Sequence, residues 1–175
     1  QAKEQVVFLS KTIDDFKEFY TISKEKEIFS VKDAILNATT ILSADLKSHN
    51  IDLETSFETF DEVKIFGVKS ERAQILITII SNSIDVLKSK KNPKIQIEIS
   101  SSSAEVIIKL ADNGGGIKAK NLKKIFEPYF STKEEGTGIG LYLAKMIIEE
   151  SFGGKILVEN KKEGVLFSLF IEKAL

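Results

Sequence analysis

The sequence predicts a two-layer α/β sandwich, in which a mixed, mostly antiparallel sheet packs on three helices and one long helix precedes the whole. Three features point there. Residues 95–99 and 106–110 read as two alternating strands joined by a hairpin turn, and 155–159 pairs with 165–171 in a final hairpin. A helix over about 71–90 is apolar nearly all round, so it belongs inside the domain. Strands and helices alternate irregularly, without the repeated βαβ units of a doubly wound parallel sheet.

The segment up to about Phe29 reads as helix, because Val6, Leu9, Ile13, Phe16 and Tyr20 recur at spacings of three and four. Such a stripe fits an ordinary amphipathic helix packed on its own domain. It also fits one half of a helical hairpin, the reading we favour, because the stripe lies ahead of the α/β pattern. Residues 1–29 are therefore expected to be part of a dimerisation hairpin and 30–175 the α/β domain. Ser30 is a suitable N-cap for the next helix, with Asp33 in the favourable first turn. Ile35, Leu36, Thr39, Leu42 and Leu46 give that helix one apolar face, and it ends near Ser48-His49-Asn50. Strands follow at 51–57 and 63–66. The 71–90 helix has Pro93 beyond its end. The serines at 100–103 turn the first hairpin, and a short helix is expected at 119–125. A fifth helix over 141–150 is closed by Gly153-Gly154, ahead of the final hairpin.

Composition narrows the function classes. The 175 residues are 42% hydrophobic, enough for one core, and the net charge of −1 gives no basis for bulk nucleic-acid binding. Arg72 is the sole arginine, so a basic side chain on phosphate is expected to be a lysine, acting as a point charge. Without cysteine there is no disulfide, thiolate zinc site or cysteine nucleophile, and the single histidine, His49, excludes a histidine-rich metal site. No apolar stretch is long enough to span a membrane, and no signal peptide is present. The chain starts at Gln1, in what reads as mid-helix, and is expected to be a cytoplasmic piece of a longer protein that is itself either soluble or membrane-anchored.

Six of the ten glycines fall in two clusters, Asp112-Asn113-Gly114-Gly115-Gly116-Ile117 and Gly136-Thr137-Gly138-Ile139-Gly140-Leu141. Glycines of this density let a backbone approach a ligand closely. Asp112, at the end of a buried strand, can accept a hydrogen bond from an exocyclic amine such as adenine N6, and Gly114 and Gly116 leave room for a base. The plain alternative is an Asp-Asn-Gly turn. The second cluster opens a helix, where free N–H groups and the helix dipole favour phosphate. Its plain alternative is a glycine-hinged loop. On the buried helix, Thr78, Asn82 and Asp85 fall on one face at i, i+4 and i+7; they are satisfied by backbone groups or line a polar pocket. Neither cluster matches the GxxxxGK[ST] or GxGxxG pattern.

Together, and in this order, these segments resemble the catalytic ATP-binding domain of bacterial sensor histidine kinases, within the wider gyrase, chaperone and mismatch-repair ATPase superfamily. The helix around Asn82 resembles the N box, residues 112–117 the first glycine box, 126–130 the F box and 136–141 the second glycine box. Residues 12–16 are similar to part of the second helix of the dimerisation hairpin. The resemblance implies a Bergerat-type ATP-binding fold, with ATP and Mg²⁺ as cofactors. Asp112 would bind adenine N6, and Asn82 would coordinate the Mg²⁺ that bridges the phosphates. Gly138, Gly140 and Leu141 would offer backbone contacts to phosphate, Lys133 would lie near the γ-phosphate, and Phe126 would anchor the loop over ATP. Asp85, Gly114, Gly116, Ile117, Gly136, Thr137 and Ile139 complete the implied nucleotide site, with Asn82 and Lys133 in the catalytic role.

The chain departs from the family pattern at Thr78, where many kinases have Asn, and at Asp85, where many have Lys. Val165 stands where relatives often have a hydroxyl beside adenine. ATP-hydrolysing relatives place a general-base glutamate at the position of Thr78, and threonine cannot activate water in that way. The resemblance therefore implies phosphoryl transfer to a histidine on a dimerisation hairpin and onward to a response-regulator receiver domain, with the chain dimerising through that hairpin. That acceptor would lie upstream of residue 1, and His49 reads as a surface structural residue rather than the acceptor. Two other functions stay open: a serine kinase of the anti-sigma-factor type, and a regulatory module that binds nucleotide without transferring phosphate.

Overall fold

The computed structural model describes residues 25–57, 63–68, 71, 73–134 and 136–174. In chain order these form β1 (Lys26–Ser30), α1 (Val31–Ile41), α2 (Ser43–Ser48), β2 (Asp52–Phe57), β3 (Lys64–Val68), α3 (Gln74–Leu87), β4 (Lys94–Ser101), β5 (Glu105–Asp112), α4 (Ala119–Leu122), α5 (Gly140–Met146), a π-helical turn (Ile147–Ser151), β6 (Lys155–Asn160) and β7 (Val165–Glu172). Five strands make the main sheet in the order β2-β4-β5-β7-β6. Its β2–β4 pair is parallel and the other three pairs are antiparallel. The expected two-layer sandwich is present.

One face of this sheet is buried. Ile95, Ile97 and Ile99 of β4, Val106, Ile108 and Leu110 of β5, and Val165, Phe167, Leu169 and Ile171 of β7 alternate with more exposed neighbours. That is the period-two pattern of a sheet covered on one side. Helix α3 lies over β4 and β5 and touches α1 and α5 on either side. Ile75, Leu76, Ile79, Ile80, Ile84 and Leu87 fill its buried side.

Four expectations need correction. Residues 26–29, read as the end of the long helix, belong with Ser30 to strand β1, which pairs antiparallel with β3 in a separate two-stranded sheet. Long-range contacts decide this: β1 pairs with β3 along its length, and Phe29 is buried edge-on against Phe152, with ring centres 6.1 Å apart. The strand opposite stays clear because any side chain at Gly67 would strike the Phe152 ring. The remainder of the expected helix, with Val6, Leu9, Ile13, Phe16 and Tyr20, lies outside the described residues. Second, the helix opened by Ser30, which accepts the Asp33 N–H (3.4 Å), is broken at Leu42 into α1 and α2. The hydroxyls of Thr39 and Thr40 donate back to the carbonyls of Ile35 and Leu36, a competition with the helical ladder that bends helices. Third, α3 is shorter than 71–90, and α4 covers only the first part of 119–125. Fourth, the helix over 141–150 passes into a π-helical turn from Ile147, closed as expected at Gly153-Gly154, where the Gly154 N–H reaches the Ile148 carbonyl (2.8 Å).

Ile79 has no exposed surface and sits where α3 meets the core. Ile79→Ala should therefore cost about 2–5 kcal/mol in urea unfolding. Leu36→Ala, at a position 52% exposed, should stay within about 0.5 kcal/mol.

Candidate nucleotide site

The predicted site residues gather around one face of α3. Its buried stripe fixes the helix's rotation, so Thr78, Asn82 and Asp85 emerge half-buried on the side facing the glycine-rich loops. From Thr78 to Val86 the axial rise is about 12 Å, enough to span a nucleotide lengthwise.

At the C-terminal end of α3, Asp112 closes strand β5. Its Oδ1 accepts the Gly114 N–H (2.8 Å), and its Oδ2 accepts the Ser83 hydroxyl (3.0 Å). The plain alternative, an Asp-Asn-Gly turn at 112–114, is thus present, and the carboxylate is also aimed by a helix residue. Both oxygens keep lone pairs for a further donor. A Val86 methyl lies against Gly114, leaving no space there for a side chain. Asn113 looks away: its Oδ1 accepts the Lys94 N–H (2.9 Å) and its Nδ2 donates to the Asn92 carbonyl (2.9 Å). The loop continues through Gly116 to Ile117, which Asn160 clamps at both backbone groups, accepting its N–H (2.8 Å) and donating to its carbonyl (2.7 Å). Val165 is buried and is the β-ladder partner of Asp112.

One turn back along α3, Lys133 arrives from the loop after Phe130. Its ammonium donates to Asn82 Oδ1 (2.7 Å) and to Asp85 Oδ2 (2.6 Å). Lys88 holds the other Asp85 oxygen at 2.7 Å. Partial burial works to raise the Asp85 pKa, but hydrogen bonds from Lys133 and Lys88 outweigh it and hold the carboxyl below the ordinary aspartate value. Asp85 in turn raises the pKa of Lys88, chiefly through their hydrogen bond. A Ser131 side-chain turn presents Lys133, accepting its N–H (3.0 Å) and donating to its carbonyl (3.2 Å).

The second glycine cluster closes the site. Gly136 follows Lys133 and packs against Ser131, with Thr137 next to it. Gly138 has φ +68° and lies directly on the Tyr129–Phe130 backbone, so only glycine fits without strain. Ile139 is buried and precedes α5, which starts at Gly140 with no side-chain cap; Leu141, half-buried, packs on the core. An uncapped start leaves N–H groups for an anion. Gly140 also approaches the Thr78 methyl, so Thr78 stands at this end of the site. Phe126 is half-buried against the core with the Lys145 ammonium 5.9 Å from its ring centre. The site's residues thus come together in two foci on one helix. His49 lies apart at the end of α2, its Nδ1 2.9 Å from the Asp45 carbonyl.

Residues 67–175 match the histidine kinase-, DNA gyrase B- and HSP90-like ATPase family. The chain belongs to that family. Among curated relatives, the sensor histidine kinase ZraS of Escherichia coli is 34% identical over 139 residues, covering 78% of this chain and 29% of ZraS. The solved catalytic domain of histidine kinase ThkA is 29% identical, with a TM-score of 0.77 over 85% of this chain and 98% of that one. A second ThkA structure, in complex with response regulator protein TrrA, has the same fold at 24% identity, a TM-score of 0.77, and 98% and 49% of the two chains covered. The chain spans between about a fifth and a third of the length of the curated relatives it matches. Family membership supports ATP as the ligand of this site. Among the described residues no helix is long and apolar enough to cross a membrane.

Two functional candidates escaped the sequence. Ser83 follows Asn82 directly and points to the opposite focus; a hydroxyl on an otherwise apolar buried stripe was the available signal. Asn160 carried no signal beyond being an amide at a strand end. Ser83→Ala removes one hydrogen bond to Asp112 and should weaken adenine-nucleotide binding about fivefold in calorimetry, with the fold intact. Gly138→Ala should destabilise the loop by at least about 1–2 kcal/mol and weaken nucleotide binding. Gly115→Ala, at a positive φ in open space, should carry the backbone strain without the collision.

Proposed function

We propose that the chain is the cytoplasmic kinase unit of a sensor histidine kinase, soluble or membrane-anchored. It would transfer the γ-phosphoryl group of ATP to a histidine on a dimerisation hairpin, for relay to a response-regulator receiver domain. The observation that carries this is the division of labour on α3. One focus presents an aimed carboxylate, Asp112, suited to the adenine amine. The other presents an amide oxygen, Asn82, beside a loop lysine suited to the phosphates.

In the transfer, the bond from the γ-phosphorus to the bridging oxygen breaks, its electrons stay on ADP, and a new bond forms to an imidazole nitrogen of the acceptor. Such a step needs positioning and charge stabilisation more than covalent help. Asp112 fixes the base. The N–H groups from Gly138 to Leu141 receive phosphate oxygens, and the Lys133 ammonium meets the charge gathering on the γ-phosphoryl group. The donor set also fits Mg²⁺, because Asn82 Oδ1 is a hard oxygen already turned toward a cation. Mg²⁺ there would neutralise charge on the phosphates. Thr78, near Gly140, offers no carboxylate to activate water, which favours transfer over hydrolysis. The relatives named as sensor kinases, and the ThkA–TrrA complex in particular, support the hairpin acceptor and the receiver domain as partners. The apolar stripe of Val6, Leu9, Ile13, Phe16 and Tyr20, within the 1–29 segment expected to belong to a dimerisation hairpin, supports dimerisation through that end of the chain.

The test supplies a phosphoacceptor hairpin in trans with γ-labelled ATP. Label should appear on the hairpin histidine, and Asp112→Ala should abolish it, with a loss of roughly 30- to 150-fold in ATP affinity. ATP binding without transfer under these conditions would replace this reading with that of a nucleotide-binding regulatory module.

A further inference from the structure

Asp85 is the residue that the preceding reading leaves without a task. An acid beside a triphosphate repels it, yet this one is held in the site by two lysines. Its Oδ2 and Asn82 Oδ1 lie one helical turn apart on the same face of α3, and both meet the same ammonium, at 2.6 and 2.7 Å. One carboxylate oxygen and one amide oxygen converging on a single cation is a donor set of the kind a hard divalent ion takes. The cation now in that place is tethered: it belongs to Lys133, on the loop that leads into the second glycine cluster.

Resting on the ATP reading above, we propose that Asn82 and Asp85 form a two-oxygen metal site that Lys133 occupies in the nucleotide-free protein and yields to the divalent cation carried by the nucleotide. Charge balance supports the exchange. Before it, Asp85 lies between Lys133 and Lys88. After it, Asp85 lies between the divalent cation and Lys88, which keeps its hold on Oδ1. At no stage does a bare carboxylate face the phosphates. The displaced Lys133 ammonium becomes available to the γ-phosphoryl group, and the loop between Ser131 and Gly136 is freed from α3. Asp85 thereby favours metal-loaded over metal-free nucleotide, since only the metal-loaded form brings a replacement for the lysine it removes.

ADP isolates this exchange, because it lacks the γ-phosphoryl group that Lys133 would otherwise bind. The experiment measures Mn²⁺ affinity of the ADP-saturated chain by the loss of free Mn²⁺ signal in electron paramagnetic resonance, alongside ADP titrations in Mg²⁺ and in chelator. Asp85→Ala should weaken Mn²⁺ binding about tenfold or more and tighten metal-free ADP binding. Lys133→Met should tighten Mn²⁺ binding by removing the competitor. Unchanged Mn²⁺ affinity in Asp85→Ala overturns the metal role, leaving Asp85 as an anchor for two lysines. Weaker Mn²⁺ binding in Lys133→Met overturns the competition. An unsubstituted chain that binds no ADP, with or without metal, overturns the nucleotide reading itself, an outcome separate from either of these.

Discussion

Burial of one stripe of α3 is the constraint on which the rest of the structure depends. Ile75, Leu76, Ile79, Ile80, Ile84 and Leu87 lie over β4 and β5 and leave the helix no freedom to rotate. A turn of one residue, about 100°, would carry Asn82 and Asp85 into apolar contact and bring isoleucines toward the loops. The apolar core therefore sets the direction of every polar group in the site. The same burial requires partners for what emerges at its edge. Ser83, nearly inaccessible, donates to Asp112, and Asn82 accepts from Lys133. Core packing and ligand geometry are thus one arrangement, and a substitution in the stripe is expected to affect both.

Much of this was legible in the sequence because it rests on local rules. Period-two alternation marked β4 and β5, and the all-round apolar character of 74–87 marked the central helix. Glycine density marked both loops. Asp112, Asn82, Lys133 and the second glycine cluster could be named because spacing along a known pattern survives without coordinates. The failures were also physical. Residues 26–29 carried a helical pattern forward from 1–24, but pairing with β3 and the Phe29–Phe152 contact are long-range, and no local periodicity encodes them. The break at Leu42 came from threonine hydroxyls bonding back to the helix, a competition that an apolar stripe does not reveal. Asn160 acts on Ile117 across 43 positions.

Asp85 shows why a departure from a family pattern can carry more information than agreement with it. As an exception to a lysine, it puts an acid in the implied nucleotide site. In the structure it stands between two lysines, one on its own helix and one from the loop. A lysine in place of Asp85 would place positive charge on α3 itself. Here the positive charge has moved onto a loop residue that can travel with the ligand. The local charge is similar in the two designs, but only in this one does the state of the loop depend on what occupies the site.

The position of Thr78 completes that logic. Its methyl group lies close to Gly140, where α5 begins, so an apolar group stands where a water-activating carboxylate would be needed. A threonine hydroxyl is too weak a base to take a proton from water at neutral pH, and Asp85, on the same face of α3, is held by two ammonium groups. A γ-phosphoryl group bound here would be charge-stabilised yet have no activated water beside it. It would persist until an outside nucleophile that needs no base arrives. A neutral imidazole, with its lone pair already in the ring plane, is such a nucleophile. On the proposed reading, a site that does not activate water would keep the phosphoryl group available for transfer to a partner.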